Sequence, residues 1–427
     1  MNNRPWLRAL VWLLFLAPFF FISYGFVNEL TAQRDDVGII VFDWEHHIPF
    51  LAWTILPYWT IDLFYGVSLF LPRTKHELDA HAKRLLFAQI ISVLGFLAFP
   101  LQYSFIRPET DGFFGWLFDV LLGFDKPFNQ APSLHISLLV ILWTLYARYL
   151  SGVWLWLTRL IAVSIGLSVL TTYQHHFIDI PTGALVGCLA VWLFPLYPQT
   201  VIKQQSKKRF KLARYYLIAA IILAMLAISW RGAWLWLLWM SCSLTAVAII
   251  YSIGKPSWFR KRDGRMEEAV LVLLAPYLIG AWINSRLWTY KHPAPHEIVS
   301  GVYLSRLPSK QVIDELMPVA LVDCCAELPL LTNQPIYSIP ILDLIEPEVE
   351  QIVQGVAAIN AAKQHGNVLV FCALGYSRSA TIVIAWLIEQ GLAQTVDDAI
   401  AMLQMIHTRL VLSEAHKQKL ADWYERR

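Results

Sequence analysis

Residues 368–381 read Val368-Leu369-Val370-Phe371-Cys372-Ala373-Leu374-Gly375-Tyr376-Ser377-Arg378-Ser379-Ala380-Thr381, and the apolar run Ile382-Val383-Ile384-Ala385-Trp386-Leu387 follows. A short apolar run, a small-residue loop and then a longer apolar stretch are the pattern of a buried strand turning into a helix. Cys372 at the strand end and Arg378 at the helix start frame a loop whose backbone amides converge on one point. Such a nest, with a helix N-terminus behind it, binds a phosphate dianion and favours a thiolate. Gly375 lets the chain turn without steric cost. Arg378 can grip two phosphate oxygens at once. Ser379 can donate to a departing thiolate, and Gly375, Ser377 and Ser379 together form the candidate phosphate-binding lining.

Outward from this loop, residues 294–427 alternate as an α/β domain does. Apolar or β-branched runs at 319–323, 337–342 and 367–371 predict strands. Helical periodicity covers roughly 347–364, 379–391, 396–407 and 413–426. Cys324 and Cys325 fall on a buried strand, as packing residues or as a redox partner for Cys372.

The Cys372-x5-Arg378 loop resembles the signature of the protein tyrosine phosphatase superfamily, specifically its small dual-specificity branch. The resemblance covers roughly 295–425 and includes Val302-Tyr303-Leu304-Ser305. It implies a phosphocysteine at Cys372 and an aspartic acid on a separate loop that protonates the leaving oxygen. Asp343, after a strand and 29 residues before Cys372, matches best, with Glu346 as the fallback. One departure is that the histidine usual before the cysteine is Phe371 here, which removes a support for the thiolate.

The remainder of the chain has a different solvent. Of the 427 residues 57% are hydrophobic and only 15% charged, against about 45–50% and about 25% in soluble globular proteins. An ordinary soluble enzyme, a disordered chain and a coiled coil are excluded. Five cysteines are too few for a disulfide scaffold. The net charge of +3 divides unevenly: residues 1–293 hold 25 Lys/Arg against 16 Asp/Glu, and residues 294–427 hold 9 against 15.

A spanning helix needs about 20 mostly apolar residues. Candidate spans are roughly 7–27, 51–71, 86–104, 135–150, 154–172 and 181–197, then 215–230, 233–252 and 269–285. The first is too long and lacks the small-residue site of a cleaved signal peptide. The last is short and interrupted by Pro276. With the N-terminus cytoplasmic, the inner segments carry 19 Lys/Arg against four outside (Arg34, Arg107, Lys126 and Arg231), the bias that orients membrane proteins. Loops 105–134 and 173–180 then face outward. Nine spans put the C-terminal domain outside and eight leave it in the cytoplasm; the charge pattern leans to the outer, periplasmic face of a bacterial inner membrane. The basic excess serves topology, and no nucleic-acid partner is expected.

The outer loops hold ionisable residues that burial in a bilayer does not account for. Pro132-Ser133-Leu134-His135 suits a helix start, with Ser133 able to cap it. His175 and Asp179 are four apart, so on a helix the carboxylate can hold the imidazole's tautomer. Arg107 and Lys126 supply fixed positive charge. Two histidines, one with a carboxylate partner, suit phosphoryl transfer: one attacks phosphorus, the other protonates the leaving oxygen, and cations hold the equatorial oxygens.

Pro132-Ser133-Leu134-His135 and His175-x3-Asp179, with Arg107-Pro108 upstream, resemble the type 2 phosphatidic acid phosphatase superfamily over roughly residues 50–197. That resemblance implies His175 as nucleophile, His135 as the acid for the leaving group and Asp179 as the residue orienting His175. The family's upstream Lys falls at Pro100 and its Arg before the nucleophile at Val169, so both are missing, with Lys126 a possible replacement. Pro-Ser-Leu-His in place of Pro-Ser-Gly-His is similar to the inositol phosphorylceramide synthase branch, which transfers phosphorylated headgroups between lipids.

The expected architecture is therefore a polytopic α-helical membrane domain followed by an α/β phosphatase-like domain. It divides into an N-terminal span and outer loop (1–49), a six-span core (50–198), a basic linker with about three further spans (199–293) and the C-terminal domain (294–427). The expected substrate is a phospholipid or other lipid phosphate at the bilayer, hydrolysed with neither cofactor nor metal. The membrane domain as a headgroup transferase, or as a non-catalytic lipid-binding scaffold, are the competing readings.

Overall fold

The computed structural model describes residues 4–198 and 202–426, which fall into two units: 1–198 with 268–270, and 199–267 with 271–427.

The first unit is helical. Its elements are α1 (Trp6–Ala32), α2 (Ile55–Ser68), α3 (Lys75–Ala98), α4 (Gly112–Leu122), α5 (Leu134–Tyr149), α6 (Gly152–Thr171) and α7 (Asp179–Leu193). Helix α5 is central and packs against α2, α3, α6 and α7. Gly183 and Gly187, one turn apart on α7, let α5 approach closely. A Cβ at Gly183 would lie 2.4 Å from the Ser133 carbonyl oxygen, and one at Gly187 2.7 Å from that of Ser137. Small residues at this spacing are how helices pack without a hydrophobic drive between them. The Ser137 hydroxyl, donating to the Gly183 carbonyl at 2.9 Å, seals the contact. The stretch 105–134, read from sequence as an outer loop, contains α4. Apolar side chains of α1 such as Leu7, Leu14, Phe21 and Ile22 point outward, more than 60% exposed.

The second unit opens with α8 (Lys208–Trp230) and α9 (Leu237–Ile253), an antiparallel pair joined by a short turn. A small hairpin, β1 (Lys261–Arg262) and β2 (Arg265–Met266), leads to α10 (Glu268–Thr289). Pro276 does not interrupt α10. Proline removes the N–H that would bond the carbonyl four residues back, and that carbonyl, Val272, instead accepts from the Trp239 indole at 2.8 Å. Among the described residues six helices are long and apolar enough to cross a membrane: α1, α3, α6, α8, the segment Gly232–Ile253 and α10. Helices α2, α5 and α7, expected as spans, have 14–16 residues.

The α/β part comprises β3 (His296–Val299), β4 (Val302–Arg306), α11 (Lys310–Leu316), β5 (Ala320–Cys325), β6 (Ile336–Ile341), α12 (Val349–Lys363), β7 (Val368–Cys372), α13 (Arg378–Glu389), α14 (Val396–Ile406) and α15 (Glu414–Glu425). The sheet runs β3-β4-β7-β5-β6, with β3 antiparallel and the others parallel. β7 and β5 are buried at every residue, as parallel strands covered on both faces are. The runs predicted at 319–323, 337–342 and 367–371 correspond to β5, β6 and β7, and the four predicted helices to α12–α15. One face of the sheet packs under α12 and α13, and α15 lies against those two helices. The other forms a smaller core of Leu321, Cys325, Leu369 and Phe371, against which Ala281 of α10 packs.

Candidate active sites

Central β7 ends at Cys372, with β4 and β5 on either side. Ligands in open α/β sheets bind outside the carboxyl ends of strands, where the connections diverge. The loop 373–377 turns there into α13. Gly375 has φ +81°, and a Cβ on it would lie 2.8 Å from the Ser305 carbonyl group, so only glycine fits. Its N–H donates to Cys372 Sγ at 3.2 Å, and the Ser379 hydroxyl donates at 3.3 Å. Both donors converge on the Cys372 sulfur.

Arg378, first residue of α13, is 2% exposed. Its Nη1 and Nη2 each donate to one oxygen of Glu327 at 2.8 Å. Nη1 also donates to the Ile341 carbonyl at 2.8 Å, and Nη2 pairs with Asp343 Oδ1 at 2.9 Å. Burial opposes the guanidinium charge, but Glu327 and Asp343 outweigh it and hold Arg378 well above its ordinary range. Burial pushes the Glu327 carboxyl up; charge and hydrogen bonds from Arg378, helped by Lys261, reverse this and leave it lowered. Burial raises Asp343, with Arg378 pulling against it. The site thus separates two acids: Glu327 stays a carboxylate, while Asp343 is biased toward holding a proton.

Glu327 was not identified from the sequence. The signal available was an acid four residues beyond the strand predicted at 319–323, and two beyond the Cys325 at which the strand ends. Ser377, expected to line the phosphate, instead has its hydroxyl 3.0 Å from His416 Nε2. That ties the loop to α15. Glu346 is buried, and its carbonyl accepts from Gln204 at 2.9 Å; it is not among the partners of Arg378. Phe371 packs in the smaller core. Cys324 and Cys325 are buried free thiols raised well above the ordinary range, by burial first.

The first unit places His135 at the N-terminus of α5, and His175 and His176 just before α7. Ser133 caps α5, accepting from the Ile136 N–H at 3.3 Å. His175 lies in the turn before α7 rather than on the helix with Asp179, which is the first residue of α7. The expected pairing still forms, with His175 Nδ1 2.9 Å from Asp179 Oδ2 and both side chains buried. His175 Nε2 lies 3.4 Å from Ser133 Oγ. His135 stacks on Tyr58 with centroids 4.2 Å apart, and its Nε2 has no hydrogen-bond partner. His135 and His175 line a cavity of about 140 Å³ with Asp62 and Asp125.

The expected cations are elsewhere. Arg107 sits over the Phe118 ring, 4.4 Å from its centroid, and Lys126 pairs with Glu29. Neither lines the cavity. His176 is committed structurally: Nδ1 is 3.0 Å from Glu45 Oε2, and Nε2 is 3.1 Å from the Ser104 N–H. No group of His, Cys, Asp and Glu that could hold a metal occurs among the described residues.

Residues 305–426 match the family model of the dual specificity phosphatase catalytic domain. Solved structures similar to the same region include Tk-PTP in its active form, at 24% identity over 32% of this chain and 99% of that one, with a TM-score of 0.30. PTPMT1 in complex with PI(5)P is 19% identical over 31% and 95%, with a TM-score of 0.29. A human DUSP28 variant is 19% identical over 31% and 96%, with a TM-score of 0.29. No curated protein matches the chain. The C-terminal domain is a dual-specificity phosphatase catalytic domain. The protein is accordingly an enzyme, a phosphatase.

Proposed function

We propose that this is an integral-membrane phosphatase that hydrolyses lipid phosphomonoesters at Cys372. The observation that carries the reading is the Cys372 sulfur, held by the Gly375 N–H and the Ser379 hydroxyl at the start of the helix that bears Arg378. The phosphate displaces Asp343 from Arg378 and binds the Nη2 and Nε edge of the guanidinium, while Glu327 and the Ile341 carbonyl keep its plane fixed. The thiolate attacks phosphorus, the ester P–O bond breaks, and the Asp343 proton passes to the leaving oxygen. Water then attacks the phosphocysteine, its proton returns to Asp343, and the S–P bond breaks to release phosphate and thiolate. In a His175→Ala background, Cys372→Ser in the full chain must abolish phosphate release from a phosphatidic acid vesicle; retained release refutes the assignment.

The membrane reading rests on the long apolar helices and on their outward apolar side chains. The side of the catalytic domain follows from its anchors, and here our reading departs from the outer-face expectation. Gln204 and Gln205 before α8, and Lys261 after α9, bond the domain. Both flanks of the α8–α9 pair are basic, from Lys203 to Arg214 and from Lys255 to Arg265, whereas its turn carries only Arg231. The positive-inside bias makes the basic end cytoplasmic, and Cys372 with it. A cysteine introduced as Met405→Cys, at a position 79% exposed, in a Cys242→Ser background, must then resist a membrane-impermeant thiol reagent in spheroplasts. Labelling before lysis returns the domain to the outer face.

The histidine cavity favours a transferase. His175 donates its Nδ1 proton to Asp179, which frees Nε2 to attack phosphorus. The cavity's ionisable lining is Asp62 and Asp125 with the two histidines. Carboxylates disfavour a phosphomonoester dianion and tolerate a singly charged phosphodiester better. Attack of Nε2 on a donor phosphodiester breaks its P–O bond, and His135 protonates the departing oxygen. An acceptor hydroxyl then attacks the same phosphorus and gives its proton to His135, the Nε2–P bond breaks, and the headgroup-bearing phosphoryl group passes to the acceptor oxygen. A new phospholipid formed when an alcohol is supplied, and lost in His175→Ala, is the expected result. In a Cys372→Ser background, phosphate release alone that is lost on adding His175→Ala supports hydrolysis instead.

A further inference from the structure

The loop that carries Asp343 is held from outside its own sheet. Gln204, fully buried, bridges it: Oε1 accepts from the Leu342 N–H and Nε2 donates to the Glu346 carbonyl, each at 2.9 Å. The Tyr251 hydroxyl, near the end of α9, donates to the Asp343 carbonyl at 3.2 Å. Glu348 Oε1 accepts from the Gln205 N–H at 2.5 Å. Within the loop Leu344 has φ +60°, a region that leucine rarely adopts. Such a backbone persists only where its surroundings over-determine it. Within the loop the Ile345 N–H donates to the Leu342 carbonyl at 3.3 Å.

We propose that Gln204, with Tyr251 as a second anchor, is the positioning residue that holds Asp343 at the phosphate-binding loop. General-acid catalysis at Cys372 therefore depends on the α8–α9 helices that lead into the domain. The inference rests on the reading of Asp343 as the acid. Gln204 does not touch the phosphate. It fixes the backbone path in which the Asp343 carboxylate lies 2.9 Å from Arg378. The charged groups around Asp343 are Arg378 from α13, Glu327 after β5 and Lys208 at the start of α8, and none of them is altered when Gln204 is replaced. Membrane helices thereby act on the proton transfer, while the Arg378 grip, whose Nη1 bonds the carbonyl of the same Ile341–Leu342 peptide, keeps its bidentate bond to Glu327.

The test uses the full chain carrying His175→Ala, so that the histidine cavity contributes no turnover, in nanodiscs with two substrates. The leaving group of p-nitrophenyl phosphate needs little protonation, whereas that of an alkyl phosphomonoester such as short-chain phosphatidic acid needs a proton. Gln204→Ala is expected to lower kcat on the alkyl ester about tenfold, and to change the aryl ester by about twofold at most. The high-pH fall of kcat/KM on the alkyl ester is expected to flatten. Tyr251→Phe, which removes one hydroxyl, is expected to show the same selectivity to a smaller degree, and it stands in if Gln204→Ala does not fold. Asp343→Asn is the reference variant. Selective loss in Asp343→Asn but in neither anchor variant overturns the clamp and leaves the acid assignment standing. Undiminished alkyl turnover in Asp343→Asn overturns the acid assignment and the clamp with it. Equal loss on both substrates in the anchor variants also overturns the clamp, because it points to a general structural defect.

Discussion

Arg378 meets Glu327 through two parallel hydrogen bonds of 2.8 Å, with both side chains 2% exposed. This geometry fixes the plane of a guanidinium. The pair explains how one arginine can be buried at full charge and still present an open edge to phosphate.

Glu327→Ala removes the partner of a buried charge, which costs on the order of 3–5 kcal/mol. Glu327→Gln keeps the shape, loses the charge and is expected to fold. In that variant Arg378 turns toward Asp343, and KM for an aryl phosphate is expected to rise about tenfold. Steady-state kinetics beside a thermal melt separates the two effects. An unchanged KM in a folded Glu327→Gln variant refutes the plane-fixing role.

The Asp343 carboxyl is raised by burial, with Arg378 opposing. An acid must be protonated to act, so its contribution is present below its pKa and fades as pH climbs through it. The kcat/KM profile for an alkyl phosphomonoester is therefore expected to fall on the alkaline side, at a pH above the ordinary carboxylate range. In Asp343→Asn that limb is expected to vanish, with turnover down by about a hundredfold.

Ser379 donates to the Cys372 sulfur at 3.3 Å. In the second chemical step that sulfur is the leaving group, and its negative charge develops as the S–P bond breaks. Ser379→Ala is expected to slow breakdown of the phosphoenzyme about tenfold and its formation much less. A larger pre-steady-state burst with a slower steady rate is the signature; a smaller burst with the same rate contradicts it.

The catalytic loop was legible from sequence because its chemistry is local: strand, cysteine, glycine, arginine and helix are contiguous. Asp343 was reachable through the loop's resemblance to a family. Glu327 was not, because its role depends on β5 lying beside β7, a pairing between residues far apart in sequence. Gln204 was further out of reach, since a polar residue in a basic linker carries no mark of the loop it bonds. In the first unit the pairing of His175 with Asp179 was legible from their spacing. The expected cations misled, because charge type says nothing of partner: Lys126 pairs with Glu29, and Arg107 lies on Phe118.

Helix contact, and not charge, positions the histidine cavity. Gly183 on α7 faces the Ser133 carbonyl so closely that a Cβ would come within 2.4 Å of it and 3.1 Å of the Ile136 Cβ. The first is backbone and cannot turn aside, so Gly183→Ala must push α5 from α7. Overpacking of this kind costs about 1–3 kcal/mol, and a displacement near 1 Å can cost about a hundredfold in rate. Ser133 and His135 ride on α5, whereas His175 and Asp179 belong to the start of α7, so the shift separates the two histidines. Gly183→Ala is expected to lose at least tenfold of the His175-dependent lipid turnover while keeping Cys372-dependent hydrolysis of p-nitrophenyl phosphate. Gly66→Ala, where a Cβ meets nothing within 4 Å, is the matched control and is expected to keep both. Undiminished His175-dependent turnover in Gly183→Ala would show that the α5–α7 contact does not set the site.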